Sequence, residues 1–103
     1  MPRVPAKADP SWFGFPITLK PHINRRDFIA FLEEAKIETR LVFAGNVLKQ
    51  PGFEHIPRRV HGDLTGTDTI MNQTLFIGVY PGLTPEMREF VAERIGQFFT
   101  KKI

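Results

Sequence analysis

The 103-residue sequence contains no cysteine. That absence excludes a disulfide scaffold, a cysteine nucleophile, a thiolate zinc site and a cysteine-ligated iron–sulfur cluster built from this chain alone. Serine occurs once, at Ser11, with no histidine and acid placed beside it, so a serine nucleophile is unsupported. No apolar run approaches the ~20 residues that span a bilayer. The opening MPRVPAKADP has no apolar segment of a secretory signal, so the chain reads as cytoplasmic. Glycines do not fall in a phosphate-cradling pattern: HGDLTGTD lacks both the G-x-G-x-x-G spacing and a P-loop lysine. No internal repeat and no low-complexity tract is present.

What remains is globular in composition, 42% apolar and 24% charged, with a mild net charge of +3. The proline-rich residues 1–10 read as a linker, and residues 11–103 as one domain. In SWFGFPITLK, Phe13, Phe15, Ile17 and Leu19 alternate, the period of a half-buried strand. Pro16 cannot donate to a ladder, which places that strand at a sheet edge. Asn24 is set to cap a helix running to about Lys36, with Phe28, Phe31, Leu32 and Ala35 as its apolar stripe. IETRLVF follows as a second strand, carrying Ile37, Thr39, Leu41 and Phe43 on one face.

From Ala44 to about Leu64 the periodicity is lost among Gly45, Pro51, Gly52, Pro57 and Gly62, and only a weak helix signal spans Thr67 to Gln73. TLFIGVY, residues 74–80, is nearly continuous in apolar residues, as in a strand covered on both faces. Thr84 then caps a last helix with Pro85 at its first position and Glu86 in its first turn. Met87, Phe90, Val91, Ile95, Phe98 and Phe99 form its stripe, and Lys101 and Lys102 end it. The resulting class is α+β, in the order β-α-β-loop-β-α, with about three strands and two long helices on one face.

Candidate chemistry is sparse. His22, His55 and His61 share no ligand spacing, so no metal site is expected. Asp63 and Asp68 could form an acid–base pair, but aspartate in a Gly/Thr-rich turn more often caps a helix or bonds its own backbone. Arg25 and Arg26 read as solvated. Arg40 leads into the long loop that also holds Arg58 and Arg59, and its guanidinium is either plain surface charge or a fork for a diphosphate or carboxylate. Asn46 and Gln50 are uncharged amides in that loop, suited to ligand contact or to turn formation. The phenylalanines follow core periodicity rather than decorating a basic strand, so nucleic acid is not an expected partner.

The strings PSWFGFPITLK, AKIETRLVFAGNVLKQP and GDLTGTDTIMNQTLFIGVYPGLTPEM together resemble the DegT/DnrJ/EryC/StrS aminotransferase family of sugar-nucleotide enzymes. Within it they are most similar to the CDP-4-keto-6-deoxyglucose 3-dehydrase branch of lipopolysaccharide dideoxysugar biosynthesis. The resemblance runs from Pro10 to Phe99 and covers only the C-terminal part of such enzymes. It implies the small C-terminal domain of a pyridoxal-phosphate fold type I protein, inactive without the large cofactor domain that precedes it. It further implies a homodimer using pyridoxal or pyridoxamine phosphate, a histidine base, an iron–sulfur cluster and a flavin iron–sulfur reductase, none of them supplied by this chain. By the same resemblance Phe13 stands where many aminotransferase members carry histidine, and Arg40, Phe43, Asn46 and Gln50 fall in a segment approaching the substrate cleft. Thr69 departs from the family's basic residue and inherits no role. The alternatives left open are a sugar aminotransferase and a separate module binding an anionic partner.

Overall fold

In the computed structural model, residues 3–102 are described. Three antiparallel strands lie in the order β1–β3–β2, where β1 is Gly14–Thr18, β2 is Thr39–Leu41 and β3 is Thr74–Gly78. Both outer strands run opposite to β3, so β1 and β2 point the same way. A crossover is therefore required between them. Helix α1, Arg25–Glu34, supplies it. Helix α2, Thr65–Gln73, feeds β3, and α3, Pro85–Lys102, closes the chain. Pro16 sits on the edge strand β1, as its missing N–H demands.

Local signals account for the helix ends. Asn24 accepts from the Asp27 N–H at 3.1 Å. At the other end Lys36 adopts a left-handed backbone, φ 67°. The Ile37 N–H then reaches Leu32 O at 2.9 Å and the Lys36 N–H reaches Glu33 O at 3.0 Å. This is the Schellman pattern, with Ile37 and Leu32 as its buried apolar contact. Thr84 Oγ1 accepts from the Met87 N–H at 3.2 Å and caps α3 as expected.

The core lies between one sheet face and α1 and α3. Phe28, Leu32 and Leu75 are fully buried, with Leu19, Ile37 and Phe98 beside them. Phe28 meets Phe98 edge-on at 5.0 Å, and Phe31 and Phe99 extend the ring cluster. Both long helices thus cover one face, and the small α+β class stands.

Four expectations need correction. β2 is only three residues long, because Phe43 leaves the extended conformation at φ 44°. β3 is covered by helices on one face only: Leu75 and Ile77 point into the core, while Val79 and Tyr80 are exposed beyond its end. Met87 and Phe90 belong by period to the stripe of α3, but they are exposed; from Val91 onward, with Ile95, Phe98 and Phe99, the stripe packs on the core. The 44–64 segment is not structureless, since it winds into 3₁₀ turns at Val47–Lys49 and Pro51–Phe53.

Residues 51–63 are all exposed. They help stretch the molecule to 49 × 36 × 23 Å, with a radius of gyration of 16.2 Å, against ~13 Å for a compact chain of this size. Residues 3–10 are likewise exposed, with one turn closed by the Ala8 N–H on Pro5 O. Met1, Pro2 and the side chains of Lys101 and Lys102 lie outside the described residues. No helix among the described residues is long and apolar enough to cross a membrane.

Candidate functional site

The helix-free face of the sheet carries an aromatic cluster. Phe76, on the central strand, pairs in register with Pro16 on one side and Arg40 on the other. Cross-strand partners share a face, so these three form a row pointing away from the core. The Phe13 ring lies 5.7 Å from that of Phe76, and the Phe43 ring, near the β2 edge, lies 6.4 Å from it. Phe13 and Phe43 are 77% and 82% exposed, so Phe76 is their inner support and the rest of each ring is open.

Strand alternation would have put Phe13 with Ile17, and Phe43 with Leu41, on the core side. Neither obeys it. Phe13 precedes the first residue of β1, so the pleat does not govern its direction. Phe43 is turned across by its left-handed backbone. A bulky residue in that region is a genuine outlier and costs on the order of 1–3 kcal/mol. The turn that holds it is well defined: the Phe43 N–H bonds Leu41 O at 2.8 Å and the Gly45 N–H bonds Val42 O at 3.2 Å. Gly45 is itself left-handed, and a Cβ there would fall 2.4 Å from Met71 Cγ. Glycine is required there on both counts.

Arg40 projects beside Phe76 with an exposed guanidinium. It pairs with Glu38 and donates to Thr39 O at 3.2 Å. An exposed pair of this kind contributes little and yields readily to a better anion. The start of β2 is tied to α1 by Glu33, which accepts from the Thr39 N–H at 3.0 Å and from Thr39 Oγ1 at 2.8 Å. Those bonds, side chain first, hold the Glu33 carboxyl below its usual range.

Asn46 is not the free loop amide its setting suggests. It is buried; its Oδ1 accepts from the Leu48 N–H at 3.0 Å and its Nδ2 donates to Asp68 Oδ1 at 2.9 Å. Lys49 Nζ joins the same carboxylate at 3.1 Å. The Asn46 hydrogen bond, then that of Lys49, holds Asp68 below the ordinary aspartate range. Gln50 is also turned inward on the loop, donating to Ala44 O at 2.8 Å. The five candidates therefore divide. Phe13, Arg40 and Phe43 gather on the open face around Phe76, whereas Asn46 and Gln50 shape the loop that carries Phe43.

The other polar candidates are spent within the chain. Asp63 accepts from the Thr65 N–H at 3.1 Å in the turn that leads into α2, which lowers its own pKa; the N-cap position itself, Leu64, carries no side-chain cap. Asp68 does not cap; it is the tie between α2 and the loop. Arg25 is not solvated: it donates to Met71 O at 2.6 Å and Thr74 O at 3.0 Å, clamping α1 to the α2–β3 junction. It borders a groove of about 510 Å³ with Arg26, Leu41 and Asn72. Arg58 folds back onto the carbonyls of Glu54 and Ile56. Among the described residues no three histidine or carboxylate side chains converge as a metal site, and no buried side-chain polar atom lacks a partner. With no thiol in the sequence, these residues do not fit a cysteine-ligated iron–sulfur cluster.

One residue of the site escaped the sequence reading, Phe76. The available signal was Phe76 itself: in TLFIG it alternates with Leu75 and Ile77, so one of the three had to face away from the core.

Known proteins similar to this chain include the following three. The lipopolysaccharide biosynthesis protein RfbH of Salmonella typhimurium is 54% identical over 101 residues, covering 96% of this chain and 23% of that protein. The dTDP-4-dehydro-2,6-dideoxy-D-glucose 3-dehydratase of Saccharopolyspora spinosa is 40% identical over 103 residues, covering 98% and 22% respectively. The crystal structure of the E. coli GDP-4-keto-6-deoxy-D-mannose-3-dehydratase with bound hydrated PLP superposes with a TM-score of 0.67 at 26% identity, over 81% of this chain and 22% of that one. The chain thus spans under a quarter of the length of these relatives. The family model of the DegT/DnrJ/EryC1/StrS aminotransferases matches residues 1–96. With nearly its whole length matched in sequence and most of its fold shared with a dehydratase, this chain belongs to the DegT/DnrJ/EryC1/StrS aminotransferase family.

Proposed function

We propose that this chain is the small C-terminal domain of a PLP- or PMP-dependent nucleotide-sugar 3-dehydrase, which removes the C-3 hydroxyl of a CDP-4-keto-6-deoxyhexose in O-antigen lipopolysaccharide biosynthesis. The observation that carries the reading is the open aromatic face. Phe13 and Phe43 are displayed on Phe76 rather than buried, in a chain 54% identical to a lipopolysaccharide biosynthesis protein. Exposed rings of this size are a burial liability unless another surface covers them. On this reading they line the substrate cleft opposite the large domain of the same protein.

The side chains then have distinct tasks. Phe13 offers an apolar ring where an aminotransferase would offer a histidine, so it can orient the sugar and exclude water from it but cannot exchange a proton with it. Phe43 closes the other end of the apolar wall. Arg40 exchanges its exposed Glu38 partner for an anionic group of the nucleotide, where a fork of donors gains from bidentate contact. Asn46 and Gln50 act indirectly, by holding the loop in shape. Cofactor and cluster are held by residues outside these 103. The partner set is the large domain, a second copy of the enzyme and a flavin iron–sulfur reductase, in the cytoplasm. Excluding water and holding the substrate in one pose are the contributions of this domain.

The test uses the full-length enzyme with PMP, a reductase and CDP-4-keto-6-deoxyglucose. Loss of the 3-hydroxyl without nitrogen transfer from glutamate is expected. Formation of a 4-amino sugar from glutamate would establish the aminotransferase instead.

A further inference from the structure

Gly14 is an unexpected residue for its place. It sits in strand β1 with a backbone that is not left-handed, so its conformation does not require glycine. Glycine in a strand weakens it relative to a residue with a side chain. The reason for it lies across the strand. A Cβ at position 14 would stand 2.4 Å from Phe76 Cδ2 and 3.1 Å from Cγ, inside the volume of the ring. The empty side chain is therefore the seat of the Phe76 ring. That ring in turn supports Phe13 at 5.7 Å and Phe43 at 6.4 Å, the two most exposed of the large apolar side chains among the described residues.

We propose that Phe76 is a positioning residue for the dehydrase reaction: seated over Gly14, it fixes the direction in which Phe13 meets the substrate. The inference rests on the reading of Phe13 as a cleft residue given above. Phe76 is half-buried beneath its neighbours, so it acts through them and does not itself touch the sugar. A ring held by a single aromatic contact keeps its tilt only while that contact lasts. Without Phe76, Phe13 is free to fold down onto the sheet and leave the cleft. With a methyl at position 14 the Phe76 ring is displaced, and the same loss arises from the opposite side.

The experiment is a double-mutant cycle on the full-length enzyme, reading kcat and KM for CDP-4-keto-6-deoxyglucose together with the melting temperature. Phe13→Ala is expected to lower kcat/KM by about threefold to tenfold. Phe76→Leu, which keeps apolar volume but not the ring, is expected to lower it similarly. The double variant is expected to lose less than the product of the two single losses, the remaining loss coming from Phe43, which Phe76 also supports, and Phe76→Tyr is expected to retain most of the activity. Gly14→Ala gives the same loss with Phe76 still present, and it stands in for Phe76→Leu if that variant does not fold. Additive losses in the cycle would overturn the proposal, as would losses that simply follow the melting temperature. Full activity of both Phe76→Leu and Gly14→Ala beside an impaired Phe13→Ala would overturn the positioning role and leave the cleft reading intact. An unimpaired Phe13→Ala would overturn the cleft reading, and this inference with it.

Discussion

The side-chain amide of Asn46 donates to the Asp68 carboxylate at 2.9 Å across 22 residues of sequence, and Lys49 reaches the same oxygen. This joint connects the 3₁₀ turn to α2 and fixes the loop that carries Phe43. Asn46→Ala removes a turn cap and a buried donor together. The expected loss is about 1–3 kcal/mol, above the ~0.5 kcal/mol of an ordinary surface change. Chemical denaturation of the chain checks it. A loss below the surface value would mean that Asn46 is not buried in solution.

Asp68 also makes the joint sensitive to acid. Its hydrogen bond from Asn46, then that from Lys49, depresses its pKa below the ordinary 3.8. Glu33 and Asp63 are depressed as well, by Thr39 and Thr65 respectively. For such groups the stabilisation is complete above the unfolded pKa and is lost as pH falls through the lower folded one. Stability is therefore expected to be level near neutrality and to decline once the pH drops into the carboxylate range. Asp68→Asn should flatten part of that decline in melting curves taken across acid pH. An unchanged acid limb would show that the carboxylate is unpaired in solution.

Local signals were the legible ones. Asn24, Thr84, Asp63 and Pro16 each act within a few residues of themselves, and each does what its type and neighbours imply. The ties that build the site join distant segments. Arg25 with Met71 and Thr74, Asn46 with Asp68, and Phe76 with Phe13 and Phe43 depend on topology that periodicity does not encode. Alternation carried past the strand ends points Phe13 and Phe43 to the core side, whereas their rings lie on the open face. Helical period has a related limit on α3: it puts Phe90 and Phe98 on the same face, but packing on the core begins only at Val91.

That last point is measurable. Phe98 is buried against Phe28, Phe31 and Phe99. Phe98→Ala should cost about 3–5 kcal/mol. Phe90 is exposed and its ring carries the Arg94 guanidinium at 5.2 Å from the centroid. Phe90→Ala should cost at most about 1 kcal/mol in the chain alone. Equal losses on denaturation would show that Phe90 is packed as Phe98 is.

Lys36 holds the left-handed position of the Schellman turn that ends α1, where glycine is the usual occupant. A side chain there costs about 1–2 kcal/mol, and glycine returns part of the gain through its unfolded-state entropy. Lys36→Gly is expected to raise stability by about 0.5–1 kcal/mol, whereas Lys36→Val should lower it. A Gly variant no more stable than the parent would place Lys36 outside the left-handed region.

Phe43 poses the same backbone question at the candidate site, with function attached. Its φ of 44° strains any residue with a Cβ, and its ring is mostly exposed, so the side chain gives little back in burial. Phe43→Gly and Phe43→Ala both delete the ring, but only the alanine keeps the strain. The glycine variant should therefore be the more stable of the two by about 0.5–1 kcal/mol. In the full-length enzyme both should lower kcat/KM for the nucleotide sugar, by about threefold to tenfold if one aromatic contact is lost. Comparing the pair separates backbone from ring, because stability follows the first and kinetics the second. Equal stabilities would mean that Phe43 is not left-handed in solution. Unchanged kinetics in both variants would remove Phe43 from the cleft and leave its strain without a use.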